Sequence, residues 1–223
     1  MDDMAWTPFG DWTFLRRNGL AQLRHSSGLI CGASGARPGS GIAGVDAIGI
    51  PDAKAPVGSH EQIMRLRFRS RGFFDAEPES HLALGLMGQW RKPNPIVADS
   101  AVLTGRGIVI GNVSGAPNGC PEFPVVQIES FYCNGNALLA GTRSGRVREE
   151  VWYSLEFGAS VDGQTFYEIR EENGSSIGKY SVVDRSPHIP PSLGGWWICH
   201  AFSDLHLDRN WEFDIADIAI GWR

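Results

Sequence analysis

The chain has 223 residues, of which 42% are hydrophobic and 20% are charged, a composition typical of globular proteins. Its net charge of −5 gives no overall attraction to nucleic acid or to an anionic membrane. No apolar run reaches the roughly 18 residues of a membrane-spanning helix. We therefore expect neither a nucleic-acid partner nor a membrane span.

The 28 glycines and 13 prolines are spread along the whole chain, which favours many short strands over long helices. The chain opens with Met1-Asp2-Asp3 and carries no basic stretch or apolar run of a signal peptide. This start predicts synthesis in the cytoplasm, with association with a virion or release by lysis as the expected route outward.

Alternating apolar and polar residues predict strands in several stretches, because successive side chains of a strand point to opposite faces. The first clear case is residues 62–70 (QIMRLRFRS), where three apolar residues alternate with Arg65, Arg67 and Arg69. Further predicted strands follow at residues 81–89 (HLALGLMGQ), 105–113 (GRGIVIGNV), 123–131 (FPVVQIESF) and 211–222 (WEFDIADIAIGW).

Residues 152–169 (WYSLEFGASVDGQTFYEI) predict a β-hairpin. Two alternating runs flank Asp162-Gly163, and glycine supplies the positive φ that a tight connection needs. A lone hairpin is only marginally stable in water, so the strands must bury their apolar faces on one another. The sequence therefore predicts an all-β fold: ten to fourteen strands in one domain over residues 1–223, packed as a two-sheet antiparallel sandwich.

Four stretches together resemble the concanavalin A-like lectin/glucanase superfamily, which includes laminin-G-like modules. They are the hairpin, the late GGWWICHAFSD, the closing FDIADIAIGW, and an early strand GDWTFL that would pair near the C-terminal one. The resemblance implies a jelly roll with one curved sheet that often binds glycans. The superfamily also contains glycoside hydrolases, polysaccharide lyases and structural modules, so the fold leaves the function open.

The glycan-binding hypothesis places polar side chains on the concave sheet and aromatic rings beside it, since sugars stack on indoles and hydrogen-bond to charged groups. The candidate ligand-binding residues are Arg65, Arg67, Arg69, His81, Gln127, Glu129 and Trp90. The pair Trp196-Trp197 is a further stacking candidate, with burial as the alternative. The arginine row has a plain alternative as well, a solvated sheet face that discourages aggregation.

Enzymatic alternatives remain open at this point. The glucanase pattern E-x-D-x-E is absent: Glu168, Arg170 and Glu172 share a face but a cation interrupts the carboxylates, and Asp214 stands alone. The alginate-lyase-like branch implies an arginine strand and a Gln-Ile-His strand, whereas this chain has Glu129 at the histidine position. His81, Arg67 and Glu129 are the catalytic candidates of this alternative, a lyase or hydrolase of acidic polysaccharide.

No metal site or cofactor is predicted. His200, Asp204, His206 and Asp208 lie close together but match no strict ligand motif, and calcium, common in the superfamily, has no convincing acidic loop. The four cysteines lack a C-x-x-C pair and are expected to be reduced, with a Cys120–Cys133 disulfide left open.

The leading hypothesis is a non-catalytic glycan-binding jelly roll, in the setting of a phage tail or surface structure. Its partner would be a glycan or polysaccharide. A structural sandwich that serves protein assembly, as a homo-oligomer or within a larger complex, is the third alternative.

Overall fold

The computed structural model describes the backbone of residues 5–9, 12–17, 20–25, 44–71, 81–91, 102–111, 125–132, 135–142, 147–184, 193–202 and 212–223. Side chains are described at residues 49, 53–70, 82–88, 105–111, 147–184, 193–198 and 214–223. Among the described residues we find no helix with the length and hydropathy of a membrane span.

Fourteen strands make up most of the described chain. They are β1 (Ala5–Phe9), β2 (Trp12–Arg17), β3 (Leu20–His25), β4 (Gly44–Lys54), β5 (Glu61–Arg71), β6 (His81–Arg91), β7 (Val102–Gly111), β8 (Val125–Tyr132), β9 (Gly135–Thr142), β10 (Tyr153–Ser160), β11 (Gln164–Glu171), β12 (Ser176–Val183), β13 (Gly194–Phe202) and β14 (Glu212–Trp222). Within the described residues, each predicted strand stretch coincides with a strand.

The strands form two antiparallel sheets. The eight-stranded sheet has the order β12-β11-β10-β5-β14-β2-β3, and β1 pairs with the second half of β14. The six-stranded sheet has the order β4-β13-β6-β7-β8-β9. The early strand β2 pairs with β14 at Trp12↔Ile215, as the sequence predicted for the two ends of the chain.

The apolar faces of the two sheets pack into one core. The eight-stranded sheet contributes Met64, Leu66 and Phe68 from β5, and the six-stranded sheet contributes the leucines at 82, 84 and 86 of β6. All six side chains are at most 3% exposed. This burial is the main stabilising contribution, and it confirms the predicted two-sheet sandwich.

The hairpin of β10 and β11 lies inside the eight-stranded sheet, next to β5. Its turn has Gly163 at φ 96°, the positive value that the Asp-Gly sequence predicted. A side chain at this position would also be blocked, because a Cβ on Gly163 would lie 2.1 Å from the carbonyl oxygen of Asp184.

Two buried polar side chains connect the sheets across the core. Arg106 of β7 points inward and lies 2.9 Å from the Asp184 carboxylate at the end of β12, with side chains 4% and 2% exposed. Its Nη1 also donates to the Asp184 carbonyl at 2.7 Å. The Gln62 amide of β5 donates to the Gly194 carbonyl and accepts from the Gly194 N–H of β13 at 2.9 Å. Such bonds fix how one sheet lies on the other, because a buried polar group must keep its partner.

Burial lowers the pKa of the Arg106 guanidinium, and the charges of Asp184 and Asp162 offset this only in part. The nearby Asp184 carboxylate therefore offsets part of the desolvation cost of this buried charge. We expect Arg106→Met to destabilise the fold by about 3–5 kcal/mol in urea unfolding, since it removes the counter-charge of a buried carboxylate.

The double variant Arg106→Met/Asp184→Leu should recover most of that loss, because both charges are then gone. Arg148→Met is the matched control: Arg148 pairs with Glu171 at the surface, and its side chain is 62% exposed. It should cost at most about 1 kcal/mol. An Arg106→Met loss no larger than that of the control would contradict the role assigned to this pair.

Trp197 of β13 packs on glycine. Its side chain is 1% exposed and lies on the face of the six-stranded sheet opposite the shared core, across from its register partner Gly85. A Cβ on Gly85 would lie 2.1 Å from the indole. Only glycine therefore leaves room for this ring.

We expect Gly85→Ala to destabilise the fold by about 1–3 kcal/mol, because a buried indole has little space to move away. Gly158→Ala is the matched control. Its added methyl meets Phe166 at 2.3 Å, but Phe166 is only half-buried and can turn toward solvent, so the cost should be smaller. Chemical unfolding of both variants gives the comparison, and equal losses would refute the explanation.

Candidate functional site

The arginine row of β5 lies on the outer face of the eight-stranded sheet. Because Met64, Leu66 and Phe68 point into the core, the alternate residues Arg65, Arg67 and Arg69 point away from it. Their side chains are 43%, 39% and 26% exposed. The guanidinium groups are therefore open to solvent, while strand neighbours restrict how they can turn.

Each arginine of the row contacts a carboxylate from a neighbouring strand. Arg65 Nε lies 2.7 Å from Glu156 Oε2, its register partner on β10. On the other side, Arg69 Nε donates to Asp214 Oδ2 of β14 at 2.9 Å. The predicted cationic stripe is thus compensated within the sheet, and Asp214, which stands alone in the sequence, has a partner in the fold.

Arg67 is held by two carboxylates, one of which depends on a β-bulge. The register of β14 against β5 shifts between Ala216 and Ala219, and Asp217 adopts φ 54° there. The Asp217 carboxylate then lies 3.3 Å from Arg67 Nη1, and Glu172 lies 3.0 Å from Nη2. Bulges of this kind redirect one side chain, and here the redirected side chain is an acid beside the central arginine.

Trp152, the residue before β10, contacts the row. The guanidinium carbons of Arg67 and Arg69 each lie 4.9 Å from its ring centre. This distance is within the range of a cation–π contact, which orients the guanidinium groups while their N–H groups still reach the carboxylates. The indole is half-buried.

An open groove of about 430 Å³ lies on this face. Six charged side chains line it, together with Ser154: Arg65, Arg67, Arg170, Glu156, Glu168 and Asp217. We call this surface the outer groove. Arg170 Nη2 lies 2.6 Å from Glu168 Oε2, so the third arginine of the groove is paired as well.

Glu168 is the register partner of Glu156, which places two carboxylates side by side across β10 and β11. Burial raises the pKa of Glu168, but the hydrogen bond and charge of Arg170, the Ser176 hydroxyl and Lys179 outweigh it, so the pKa is lowered overall. Glu168 therefore keeps its negative charge to a lower pH than an ordinary glutamate does.

The electrostatics of Glu168 differ from those of a glycosidase general acid. A glycosidase acid needs a raised pKa to be protonated at neutral pH, whereas that of Glu168 is lowered. No cluster of three or more His, Cys, Asp or Glu side chains that could hold a metal is found among the described residues. The groove does present arginine donors next to carboxylate acceptors, the groups that bind hydroxyls.

The predicted site residues do not share one sheet. Arg65, Arg67 and Arg69 belong to the eight-stranded sheet, whereas His81 lies on β6 and Gln127 and Glu129 lie on β8 of the six-stranded sheet. The sheet order therefore separates Arg67 from His81, Gln127 and Glu129, which the glycan-binding hypothesis placed together on one concave sheet. The chain crosses from one sheet to the other after β5, a step that strand alternation cannot reveal.

Several candidates fall outside the described side chains, namely those of His81, Trp90, Gln127 and Glu129. Residues 203–211, with most of the histidine–aspartate group, and both Cys120 and Cys133 also lie outside the described residues. Trp196 and Trp197 are described and are 3% and 1% exposed, so burial, not an exposed stacking face, accounts for this pair.

Most residues that line the outer groove were not among the ligand-binding residues predicted from the sequence. Glu156 and Arg170 sit at alternating positions of the recognised hairpin, so their outward direction could have been read from the pattern. Their placement beside Arg65 and Arg67 required the pairing of β10 with β5. Asp217 carries no such signal, because only the bulge turns it outward.

A comparison of the sequence with family models and with curated proteins gives no match. Solved structures do resemble the fold. The basic winged bean lectin with Tn-antigen aligns at a TM-score of 0.56 and 10% identity over 99% of both chains. The VIP36 exoplasmic/lumenal domain in its Ca²⁺/Man3GlcNAc-bound form aligns at a TM-score of 0.53 and 15% identity, over 79% of this chain and 73% of that one. Its Ca²⁺/Man-bound form aligns at the same TM-score and 14% identity.

The CBM2 module of the evolved Dit of Lactobacillus casei BL23 phage J-1 aligns at a TM-score of 0.51 and 15% identity, over 81% of this chain and 70% of the module. At such low identities these likenesses concern the fold. The chain therefore shares the two-sheet jelly-roll fold of these lectin structures, the fold that the resemblance of its sequence implied.

Proposed function

We propose that this protein is a carbohydrate-binding module that holds a glycan in the outer groove without cleaving it. The observation that carries the proposal is the groove itself, an open depression in which arginines and carboxylates alternate beside Ser154. Sugar hydroxyls both donate and accept hydrogen bonds, so such a surface can bind several of them at once. Trp152, held beside Arg67 and Arg69, gives the same face an aromatic edge.

The structural neighbours support a carbohydrate ligand. They include VIP36 with Man3GlcNAc bound, winged bean lectin with the Tn-antigen, and the carbohydrate recognition domain of Emp47p. Fold likeness alone does not carry a function across, so the proposal rests on the polar groove of this chain.

The non-catalytic part of the proposal follows from the groups that line the groove. Glu156 and Glu168 each contact an arginine, and the lowered pKa of Glu168 favours its charged form over a protonated acid. The lyase alternative would need Arg67, His81 and Glu129 at one sugar, but their strands belong to different sheets.

We further propose that the module serves a phage tail or surface structure, made in the cytoplasm and carried on the virion. The likeness to a carbohydrate-binding module of a phage Dit protein supports this setting, since that module has a comparable fold.

Arg67→Ala should weaken glycan binding at least about tenfold, because it removes the central guanidinium and with it the order of Trp152 and Asp217. A glycan array identifies the ligand, and calorimetry on that ligand gives the affinities. Arg148→Ala is the matched control, since Arg148 is an exposed, paired arginine that does not line the groove.

The unfolding transition of both variants should remain close to that of the parent protein, which separates lost binding from lost folding. If Arg67→Ala bound the glycan as tightly as Arg148→Ala, the outer groove would not be the binding site. Release of shortened or unsaturated sugars by the parent protein would instead make it an enzyme.

Glycan affinity should stay nearly constant from about pH 8 to pH 5, because the lowered pKa keeps Glu168 charged throughout this range. Below it, protonation of Glu168 should weaken both binding and the contribution of this residue to stability. The sign follows from linkage: a carboxylate with a lowered folded-state pKa stabilises above its unfolded pKa, and the benefit is lost as the pH falls through the folded value. Calorimetry in a pH series checks this, and an affinity optimum near pH 5 would contradict it.

A further inference from the structure

The charges that line the outer groove cancel. Its three arginines, Arg65, Arg67 and Arg170, face three carboxylates, Glu156, Glu168 and Asp217. Glu172 adds a further carboxylate 3.0 Å from Arg67 at the edge of the groove. The residues that line the groove are therefore neutral in sum, although β5 looks strongly cationic in the sequence. At the edges, Lys179, the register partner of Glu168, offsets the charge of Glu172.

Each of these arginines already contacts a carboxylate. The nitrogen–oxygen distances are 2.7 Å for Arg65–Glu156, 3.3 Å for Arg67–Asp217 and 2.6 Å for Arg170–Glu168. An anionic sugar group could bind a guanidinium here only by displacing such a carboxylate or by lying next to it. Both arrangements are unfavourable, since like charges at this distance repel and a displaced carboxylate loses a charge-assisted hydrogen bond.

A hydroxyl group meets no such obstacle. A guanidinium has five N–H donors in a fixed plane, and a carboxylate oxygen accepts more than one hydrogen bond. A sugar hydroxyl can therefore accept from an arginine and donate to the adjacent carboxylate while the ion pair stays in place. Neighbouring hydroxyls of a ring could repeat this along the row from Arg65 to Arg170.

From this charge balance we infer that the outer groove selects neutral glycans and rejects uronate, sialylated or sulfated ones. The inference rests on the proposed function and adds the class of ligand. It reverses the expectation from the arginine row, which by itself favours acidic sugars. The net charge of −5 of the whole chain acts in the same direction, because it repels anionic polymers at a distance.

The test uses matched pairs of glycans that differ only in charge, such as N-acetyllactosamine with its sialylated form and galactan with polygalacturonate. On an array containing such pairs, the parent protein should bind at least one neutral member at least about tenfold more tightly than its acidic partner. Affinity for the neutral member should change less than about twofold between about 0.05 and 0.5 M NaCl, because no net charge is neutralised on binding.

The variant Glu156→Gln provides a second test of the same inference. It removes the carboxylate at Arg65 and leaves the residues that line the groove with one net positive charge, so affinity for acidic members should rise by about three- to tenfold. Glu171→Gln is the matched control, because it alters a similar surface pair, with Arg148, outside the groove. It should leave the preference unchanged.

The failures can be told apart. A parent protein that binds no glycan on the array overturns the proposed function and this inference with it. Binding that prefers the acidic members, weakens steeply with salt and is lost in Arg67→Ala keeps the proposed function but overturns the selectivity. Equal gains for acidic glycans in Glu156→Gln and Glu171→Gln would likewise overturn it, since the charge of the groove would then not decide the ligand.

Discussion

The packing of two apolar sheet faces into one core is the constraint on which the rest of the structure depends. Burial of Met64, Leu66 and Phe68 fixes the direction of every side chain on β5, because the residues of a strand alternate between its faces. The arginines between them must then face solvent. A shift of one residue in the register would bury three guanidinium groups at a high cost in free energy. The packing of the core therefore also fixes which side chains of β5 face the outer groove.

The neighbours of β5 turn this outward row into a defined surface. Pairing with β10 brings Glu156 opposite Arg65, and pairing with β14 brings Asp214 opposite Arg69. The bulge of β14 adds Asp217 at Arg67. Surface ion pairs of this kind contribute little to stability, about 0–1 kcal/mol each. Their effect here is geometric, since they hold donors and acceptors in alternating positions across three strands, where a flexible ligand can meet both.

Polar groups inside the core have a different role. Arg106 with Asp184, and Gln62 with the backbone of β13, connect the two sheets at sites where water is excluded. Apolar contacts tolerate sliding of one sheet over the other, whereas a buried hydrogen bond is satisfied in only one arrangement. These bonds specify how the two sheets lie on one another, while the fit of Trp197 on Gly85 specifies the pairing of β13 with β6 inside the six-stranded sheet.

Alternation and turn chemistry are local properties, so the sequence determined the strands β5, β6, β7, β8 and β14 and the hairpin with its positive φ at Gly163. The need to bury their apolar faces predicted two packed sheets, whereas the jelly roll and the pairing of β2 with β14 were implied by the resemblance to known proteins. The shared direction of Arg65, Arg67 and Arg69, opposite to that of the apolar residues between them, could also be predicted from the sequence. Which sheet each strand enters was decided only by the tertiary structure: β5 and β6 follow one another in the chain but lie in different layers, so Arg67 and His81 belong to different sheets. The partners of the arginines were decided there too, because strand pairing and a bulge bring together residues up to 150 positions apart, and no local pattern records such contacts.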